Sequence, residues 1–295
     1  MLTRLPSLLA VALLWLLHLL PLPLLAPLGR ALGGVLYRFG RRRRRVADIN
    51  IDLCFPELAA AERRQLVREH FALLGRSMLE RGILWWGSRV RIERLVRVRG
   101  EEKIHAELAA GRPVILLAPH FLGLDAGGVA ITMRFDIVSI YSTQTNPVFN
   151  QVLLAGRSRF GNQLLLSRED GVRATVKAMK AGRPFYYLPD LNPRRRDAVF
   201  VPFFGISTAT ITGLPRLAKA AGAVVLPCVT RILPGSAGYE TTIGDAWPDF
   251  PGPDPVADAA RMNAWIESAV RTMPSQYYWV HRRFKTRPEG EARPY

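Results

Sequence analysis

The sequence predicts an α/β fold in which a largely parallel central sheet is flanked by helices. Short apolar runs alternate with stretches of helical spacing, an order typical of parallel strands joined by helical crossovers. Two of these runs, 113–119 and 223–229, are apolar at almost every position, which is typical of strands buried on both faces. An uncharged segment, residues 5–28, precedes this region and predicts an additional N-terminal membrane-anchoring helix.

The N-terminal segment is long enough to cross a hydrocarbon layer of about 30 Å. It is longer than the core of an ordinary signal peptide, and no clear small-x-small cleavage site follows it. Pro21, Pro23 and Pro27 interrupt the segment, and proline ends or kinks a helix. The sequence therefore leaves open whether the segment spans the membrane or only embeds in one leaflet.

A run of arginines, Arg41 to Arg45, follows the apolar segment. By the positive-inside rule this side is cytoplasmic, and anionic headgroups attract such a run by roughly 1 kcal/mol per residue. The alternative is a nucleic-acid-binding arm, which would need further basic stretches interleaved with aromatic residues. The position of the run beside the apolar segment favours lipid and argues against nucleic acid.

The remaining elements follow from periodicity and from turn residues. A helix is expected at 57–86, where apolar residues recur near helical spacing among charges. Strands are expected at 113–119, 136–142, 184–189, 198–204 and 223–229. Helices are expected at 147–158, 171–181, 213–221 and 255–273, the last after a proline-rich loop.

The net charge of +17 indicates an anionic partner, because the 295-residue chain has 41 basic and 24 acidic side chains. Nearly all of the positive charge is arginine, whose planar fork binds phosphate in a bidentate manner. Cys54 and Cys228 are too few and too far apart for a disulfide framework or a zinc site. The five histidines have no metal-ligand spacing, and no nucleotide-binding glycine motif occurs. We therefore expect neither a metal nor a cofactor.

His120 and Asp125, in the stretch APHFLGLDAGG, are the candidate catalytic pair. His120 follows the apolar run 113–119, so it lies at the carboxyl end of a buried strand, where open α/β sheets bind ligands. Five residues turn by about 140° on a helix, so the pair can meet only if His120 precedes the helix and Asp125 lies in its first turns. The imidazole would then act as a general base on a substrate hydroxyl, and the carboxylate would fix its tautomer. On spacing alone, a structural histidine with an unrelated aspartate remains the competing interpretation.

Four further stretches carry a resemblance to a known family. They are NIDLCFPEL (50–58), TNPVFNQVLLAGRSRFG (145–161), VFVPFFGISTAT (199–210) and QYYWVHRRFKTRPEG (276–290). In this order they resemble the lipid A biosynthesis acyltransferases, the late lauroyl and myristoyl transferases of Gram-negative inner membranes. The wider glycerolipid acyltransferase group, to which this family belongs, is marked by the motif H-x4-D/E.

The resemblance implies an activity and a location. An acyl chain would move from acyl carrier protein to a hydroxyl of a phosphorylated, Kdo-bearing lipid A precursor, with no covalent acyl-enzyme. Residues 1–45 would form the membrane anchor with its basic juxtamembrane segment, and residues 46–295 the catalytic domain. That domain would lie on the cytoplasmic side of the bacterial inner membrane.

The same resemblance assigns roles to individual residues. His120 would be the base and Asp125 its orienting carboxylate; many lauroyl-type members have glutamate at the second position, so Asp125 leaves the acyl chain length open. Arg157 matches a functional arginine of the family and, with Arg159, could clamp a substrate phosphate. Asp190 matches a functional aspartate at the end of a strand, where it would order the arginines or the substrate.

Three further points stay open at this stage. The family often has a second acidic residue two positions after Asp190, and here that residue is Asn192. His281, in HRRFK, is either a second catalytic histidine or a structural residue that closes the fold, and the latter is favoured. The acceptor is either the lipid A precursor or another lipid, such as a lysophospholipid or an amino-acid lipid. A non-catalytic lipid- or nucleic-acid-binding membrane protein is the remaining alternative.

Overall fold

A computed structural model of the protein describes residues 5–167 and 170–295. Its strands are β1 (Val96–Arg99), β2 (Val114–Leu117), β3 (Val138–Tyr141), β4 (Leu164–Ser167), β5 (Phe185–Tyr187), β6 (Val199–Phe203), β7 (Ile206–Thr210), β8 (Val224–Ile232) and β9 (Tyr239–Ile243). Its α-helices are α1 (Leu5–Leu17), α2 (Leu22–Phe39), α3 (Arg41–Cys54), α4 (Ala60–Trp86), α5 (Arg89–Leu95), α6 (Glu101–Ala109), α7 (Leu124–Thr132), α8 (Pro147–Arg157), α9 (Gly171–Lys180), α10 (Gly213–Ala221) and α11 (Pro255–Thr272).

Seven strands form one sheet in the order β1-β9-β8-β2-β5-β3-β4. Only β8 and β9 pair antiparallel in this sheet; the other neighbours are parallel. Strand β2 lies at the centre, and all four of its residues are buried. The predicted α/β architecture with a mostly parallel central sheet and flanking helices is confirmed.

The predicted strand at 198–204 forms, but it lies outside the central sheet. It is β6, which pairs antiparallel with β7 in a separate two-stranded sheet. Phe204 and Gly205 connect these strands, and both have positive φ angles, 51° and 72°. Two consecutive residues with positive φ are typical of a tight hairpin turn. This local turn closes the pair without any crossover to the main sheet.

The N-terminal segment forms two helices rather than one. Helix α1 ends at Leu17 and α2 begins at Leu22, directly after Pro21. The Arg91 side chain donates to the carbonyls of His18 and Leu20 and so holds the connection. None of the described helices is both long enough and apolar enough to cross a membrane. The expected membrane-anchoring helix over 5–28 is therefore unconfirmed.

Helices α1 and α2 belong to the packed structure yet expose many apolar side chains. The exposed large apolar residues of the two helices and of the connection between them are Leu5, Leu8, Leu9, Leu13, Trp15, Leu16, Leu19, Leu24, Leu28, Val35 and Phe39. The opposite side of α2 packs against α4. Of the predicted anchor, residues 1–4 lie outside the described residues, and its boundary at residue 45 falls inside α3.

Glycines bring α2 and α4 into close contact. A Cβ atom on Gly33 would lie 2.1 Å from the Phe71 carbonyl oxygen, and one on Gly75 would lie 2.2 Å from the Gly29 carbonyl oxygen. These neighbours are backbone atoms of the facing helix, which cannot move aside as a side chain can. The two helices therefore need glycine at these positions to approach as they do.

We expect Gly33→Val to lower the free energy of unfolding by about 3 kcal/mol relative to Gly34→Val, the upper range for overpacking. Gly34 is the matched control, because it is the neighbouring glycine on the same helix and its Cβ would meet nothing within 4 Å. Both replacements change the intrinsic helix propensity by the same amount. Denaturant unfolding of the two purified variants checks the difference, and equal stabilities would contradict the packing assigned to Gly33.

Candidate active site

His120 lies three residues after the end of β2, at the carboxyl edge of the sheet. Its backbone is held from the other side by the C-terminal segment of the chain. The Tyr278 amide donates to the His120 carbonyl at 3.0 Å, and the Leu122 amide donates to the Gln276 carbonyl at 2.8 Å. The His120 ring stacks on the Tyr278 ring, with 6.4 Å between centroids. The histidine is therefore fixed in position before any substrate binds.

Asp190 is the partner of His120. It follows β5, the strand beside β2, so both residues leave the same edge of the sheet. One carboxylate oxygen lies 2.7 Å from the His120 Nδ1 atom, and the other accepts the His120 backbone N–H at 2.9 Å. The Asp190 side chain is 1% exposed, whereas that of His120 is 19% exposed.

This arrangement defines the tautomer of His120. Burial would raise the pKa of Asp190, but its contacts with His120 and with the Tyr277 hydroxyl outweigh that effect and lower the pKa. An ionised carboxylate can only accept hydrogen bonds, so the His120 Nδ1 atom must donate to it. No described residue bonds to the other ring nitrogen, Nε2. With Nδ1 as the donor, Nε2 is the ring nitrogen that can accept a proton.

Asp125 does not make the contact that the sequence predicted. It lies in the first turn of α7, where its carboxylate is 2.6 Å from Arg81 and 3.1 Å from Arg157. Burial would raise the pKa of Asp125, but the two guanidinium groups lower it to about 2. The carboxylate that orients the His120 ring is therefore Asp190, and the expected His120–Asp125 pair is corrected on this point.

Arg157 and Arg81 form one cluster with Asp125. Arg157 is the last residue of α8 and its side chain is 30% exposed; Arg81, on α4, is 34% exposed. A carboxylate between two cations fixes both guanidinium groups while leaving a net positive charge at the site. This cluster can bind an anionic group with charge-assisted hydrogen bonds.

Arg159 has different partners from those expected for a substrate ligand. Its guanidinium donates to the carbonyls of Leu84 and Gly87 at 3.0 and 2.8 Å, at the carboxyl end of α4. It also lies over the Phe160 ring. Since the last carbonyls of a helix lack partners within the helix, Arg159 completes the end of α4. Its expected role in binding phosphate is not what this geometry favours.

His281 has a structural environment. Its Nε2 atom accepts the Asn192 backbone N–H at 3.0 Å, and burial, with nearby charges, lowers its pKa to about 4. The Asn192 side chain in turn bonds to Thr286 through both its amide nitrogen and its oxygen. These contacts tie the loop after Asp190 to the C-terminal segment. They agree with the favoured prediction that His281 closes the fold.

Neither cysteine is placed to act as a nucleophile. Cys54 and Cys228 are free and buried. Burial raises the pKa of both thiols, that of Cys228 to about 12. Because the thiolate is the reactive form, these two groups are inert at neutral pH.

A cavity adjoins the arginine cluster and extends along α7. About 60 Å³ of it is available to the centre of a water-sized molecule, and its whole empty volume, which includes space open to solvent, is about 580 Å³. Its lining is mostly apolar, and it is made by Leu84, Trp85, Leu124, Asp125, Gly128, Val129, Thr132, Ile137, Ser139, Ile140, Arg157, Gln163, Tyr186 and Leu188. The recess therefore borders the basic cluster, and α7, which lines it, directly follows the loop that carries His120.

Sequence patterns had not identified several of these residues. Arg81 and Trp85 lie on α4, where they resemble the other charged and apolar residues of a long amphipathic helix. Tyr277 and Tyr278 lie in the stretch 276–290, which carries the family resemblance but has no local pattern that links it to His120. Only the fold brings these distant segments together, and no local spacing could have shown it.

Comparison with known proteins supports one family. The model of the bacterial lipid A biosynthesis acyltransferases matches residues 1–286. The lipid A biosynthesis lauroyltransferase of Escherichia coli (strain K12) is 37% identical over 96% of this chain and 92% of its own. The palmitoleoyltransferase of the same strain is 32% identical over 96% and 92%, and the myristoyltransferase is 34% identical over 92% and 83%.

A solved structure with an overall likeness is the 1-acyl-sn-glycerophosphate acyltransferase from Thermotoga maritima. It aligns with a TM-score of 0.37 at 15% identity, over 85% of this chain and 97% of that chain, and a score this low supports no conclusion. The sequence matches support a conclusion, because they extend over nearly the whole chain. The chain therefore belongs to the bacterial lipid A biosynthesis acyltransferases, and it is an acyltransferase.

Proposed function

We propose that the protein transfers a fatty acyl chain from acyl carrier protein to a hydroxyl of a phosphorylated, Kdo-bearing lipid A precursor. The observation that carries this proposal is the geometry of His120: its Nδ1 atom donates to the buried Asp190 carboxylate, which leaves Nε2 free to accept a proton. An acyl transfer to an alcohol needs such a base, because a neutral hydroxyl is a weak nucleophile.

In the proposed reaction, the Nε2 atom of His120 takes the proton of the acceptor hydroxyl as its oxygen attacks the thioester carbonyl. The imidazolium is stabilised by Asp190, which keeps its negative charge throughout. The tetrahedral intermediate then collapses, the C–S bond breaks, and the imidazolium returns the proton to the leaving thiolate. No covalent bond to the enzyme is needed, and neither buried cysteine takes part.

Asp125 is assigned a role different from that of Asp190. With its pKa lowered to about 2 by Arg81 and Arg157, it stays ionised at neutral pH and holds both guanidinium groups at the start of α7. We assign these arginines to an anionic group of the substrate. Arg157 forms part of the cavity lining and so lies where such a group would enter.

The exposed apolar face of α1 and α2, as defined by the eleven residues given above, is assigned to the lipid of the cytoplasmic face of the bacterial inner membrane. A large contiguous apolar surface is unusual in water and typical of a membrane or protein contact. The arginines of α3 directly follow this face in the chain and suit anionic headgroups. Embedding in one leaflet requires no spanning helix.

We expect purified protein to convert the lipid A precursor with acyl-loaded carrier protein, and His120→Ala to lose about 10²–10⁴-fold in kcat, the usual contribution of a general base. Mass spectrometry of the product gives the acceptor and the added mass together. Activity only on another lipid acceptor would refute the proposed substrate, and full activity of His120→Ala would refute the mechanism.

We expect the matched changes Asp190→Asn and Asp125→Asn to affect different kinetic constants. Asp190→Asn removes the acceptor of the Nδ1 proton and should lower kcat by at least about 10²-fold with little effect on KM. Asp125→Asn releases Arg81 and Arg157 and should act more strongly on the KM of the phosphorylated acceptor. Steady-state kinetics on both variants checks this. If only Asp125→Asn lowered kcat, the carboxylate that orients the His120 ring would be Asp125 and not Asp190.

We expect the triple variant Leu9→Gln, Leu13→Gln and Leu16→Gln to bind vesicles that contain anionic phospholipids at least about tenfold more weakly, because each change removes apolar area from the lipid contact. The three residues repeat at helical spacing on α1 and are 62%, 55% and 56% exposed. Val172→Gln with Val256→Gln, at exposed positions of α9 and α11, is the control. Equal sedimentation of all three proteins with vesicles would contradict the assignment.

A further inference from the structure

We propose that two features of the cavity that adjoins Asp125 set the length of the acyl chain that the enzyme transfers. They are Gly128 and the polar end of the cavity, which lies far from Asp125. This inference rests on the proposed function, which leaves chain length open. It concerns the donor's acyl chain, whose carbonyl must reach the base while its hydrocarbon lies in an apolar recess.

The cavity has a direction because one face of α7 lines it from end to end. Asp125, Gly128 and Thr132 follow one another at helical spacing on this face. The helix rises about 10 Å between the first and the last of them. Asp125 lies in the first turn of α7, shortly after His120 in the chain, and contacts Arg157, so a chain that enters there extends toward Thr132.

The far end of the cavity is polar, in contrast to its walls. Gln163 donates through Nε2 to the Ser139 hydroxyl at 3.1 Å, and the Thr132 hydroxyl donates to the Gly128 carbonyl at 2.7 Å. The Oε1 atom of Gln163 is buried and has no hydrogen-bond partner among the described residues. This oxygen is already shut off from solvent, and a methyl terminus at this end of the cavity would offer no hydrogen bond to it or to the neighbouring hydroxyls. The polar end therefore disfavours a chain long enough to reach it.

Gly128 leaves open the space that a longer chain needs. A Cβ atom at this position would make ordinary contact with the Tyr186 ring, at 3.5 Å, and would meet nothing closer. A side chain can thus be added without disturbing the backbone. Since only about 60 Å³ of the cavity is available to the centre of a water-sized molecule, a larger side chain here would remove much of it.

Glycine at the neighbouring position has another purpose. A Cβ atom on Gly127 would lie 1.9 Å from the Thr230 hydroxyl oxygen on β8. Gly127 therefore allows α7 to pack on the sheet, while Gly128 faces the cavity. Of the two adjacent glycines, Gly127 is needed for packing, and Gly128 is assigned to specificity for the donor chain.

The test compares the full-length wild type with Gly128→Met and Gln163→Met, using acyl carrier protein loaded with saturated chains from decanoyl to palmitoyl. Gly128→Met should lower kcat/KM for the donor that the wild type prefers by at least about tenfold relative to a shorter donor, as one misplaced methylene does in a hydrophobic pocket. Gln163→Met removes the unpartnered oxygen at similar volume, and it should shift the preference toward longer donors.

Gly34→Met is the matched control. It makes the same replacement at an exposed position of α2, where a Cβ atom would meet nothing within 4 Å. It should keep the wild-type donor profile. If Gly128→Met is inactive with every donor, Gly128→Ala decides the matter through a smaller shift in the same direction.

Unchanged donor profiles in active Gly128 and Gln163 variants would overturn the inference. So would a changed KM for the acceptor with an unchanged donor profile, since the cavity would then hold a chain of the acceptor. A wild type that transfers no chain from any donor would instead refute the proposed function. The two failures are therefore distinguishable.

Discussion

The two hydrogen bonds between the Asp190 carboxylate and His120 are the interaction on which the site depends. One oxygen accepts the backbone N–H and the other accepts the ring Nδ1 proton, so a single side chain fixes both the main chain and the imidazole. A charge that is 99% buried is costly unless it is paired and hydrogen-bonded. Both carboxylate oxygens of Asp190 accept hydrogen bonds from His120. These two bonds offset the free-energy cost of burying the charge, and they also fix the orientation of His120.

Helix α4 connects the basic cluster to other parts of the molecule. Gly75, near its middle, allows α2 to pack on it, and Arg81 reaches the Asp125 carboxylate from further along the helix. One turn later Trp85 lines the cavity, and it packs so closely on α8 that a Cβ atom on Gly156 would lie 2.2 Å from its ring. The helix therefore holds α2, the basic cluster and the recess in fixed positions relative to one another.

The sequence predicted the fold better than it predicted the contacts within the site. The sequence predicted strands that are buried on both faces, such as β2 and β8, because burial makes them apolar at almost every position. It predicted the helices whose apolar residues recur at clear helical spacing. Strand β1, which reads VRVR, was missed because it lies at the edge of the sheet and two of its four residues are exposed. The His120–Asp190 pair was missed for a different reason: 70 residues separate its members, and only the adjacency of β2 and β5 brings them together.

The H-x4-D spacing acquires a different physical meaning from the one first inferred. His120 precedes α7 and Asp125 lies in its first turn, where a carboxylate is stabilised by the helix dipole. From there the carboxylate faces the arginines and the cavity, while the imidazole takes its partner from β5. The short spacing thus places His120 just before α7 and the support of the basic cluster in the first turn of α7. The two side chains lie a few residues apart in the chain, and each has its own partners: Asp190 for the His120 ring, and Arg81 with Arg157 for Asp125.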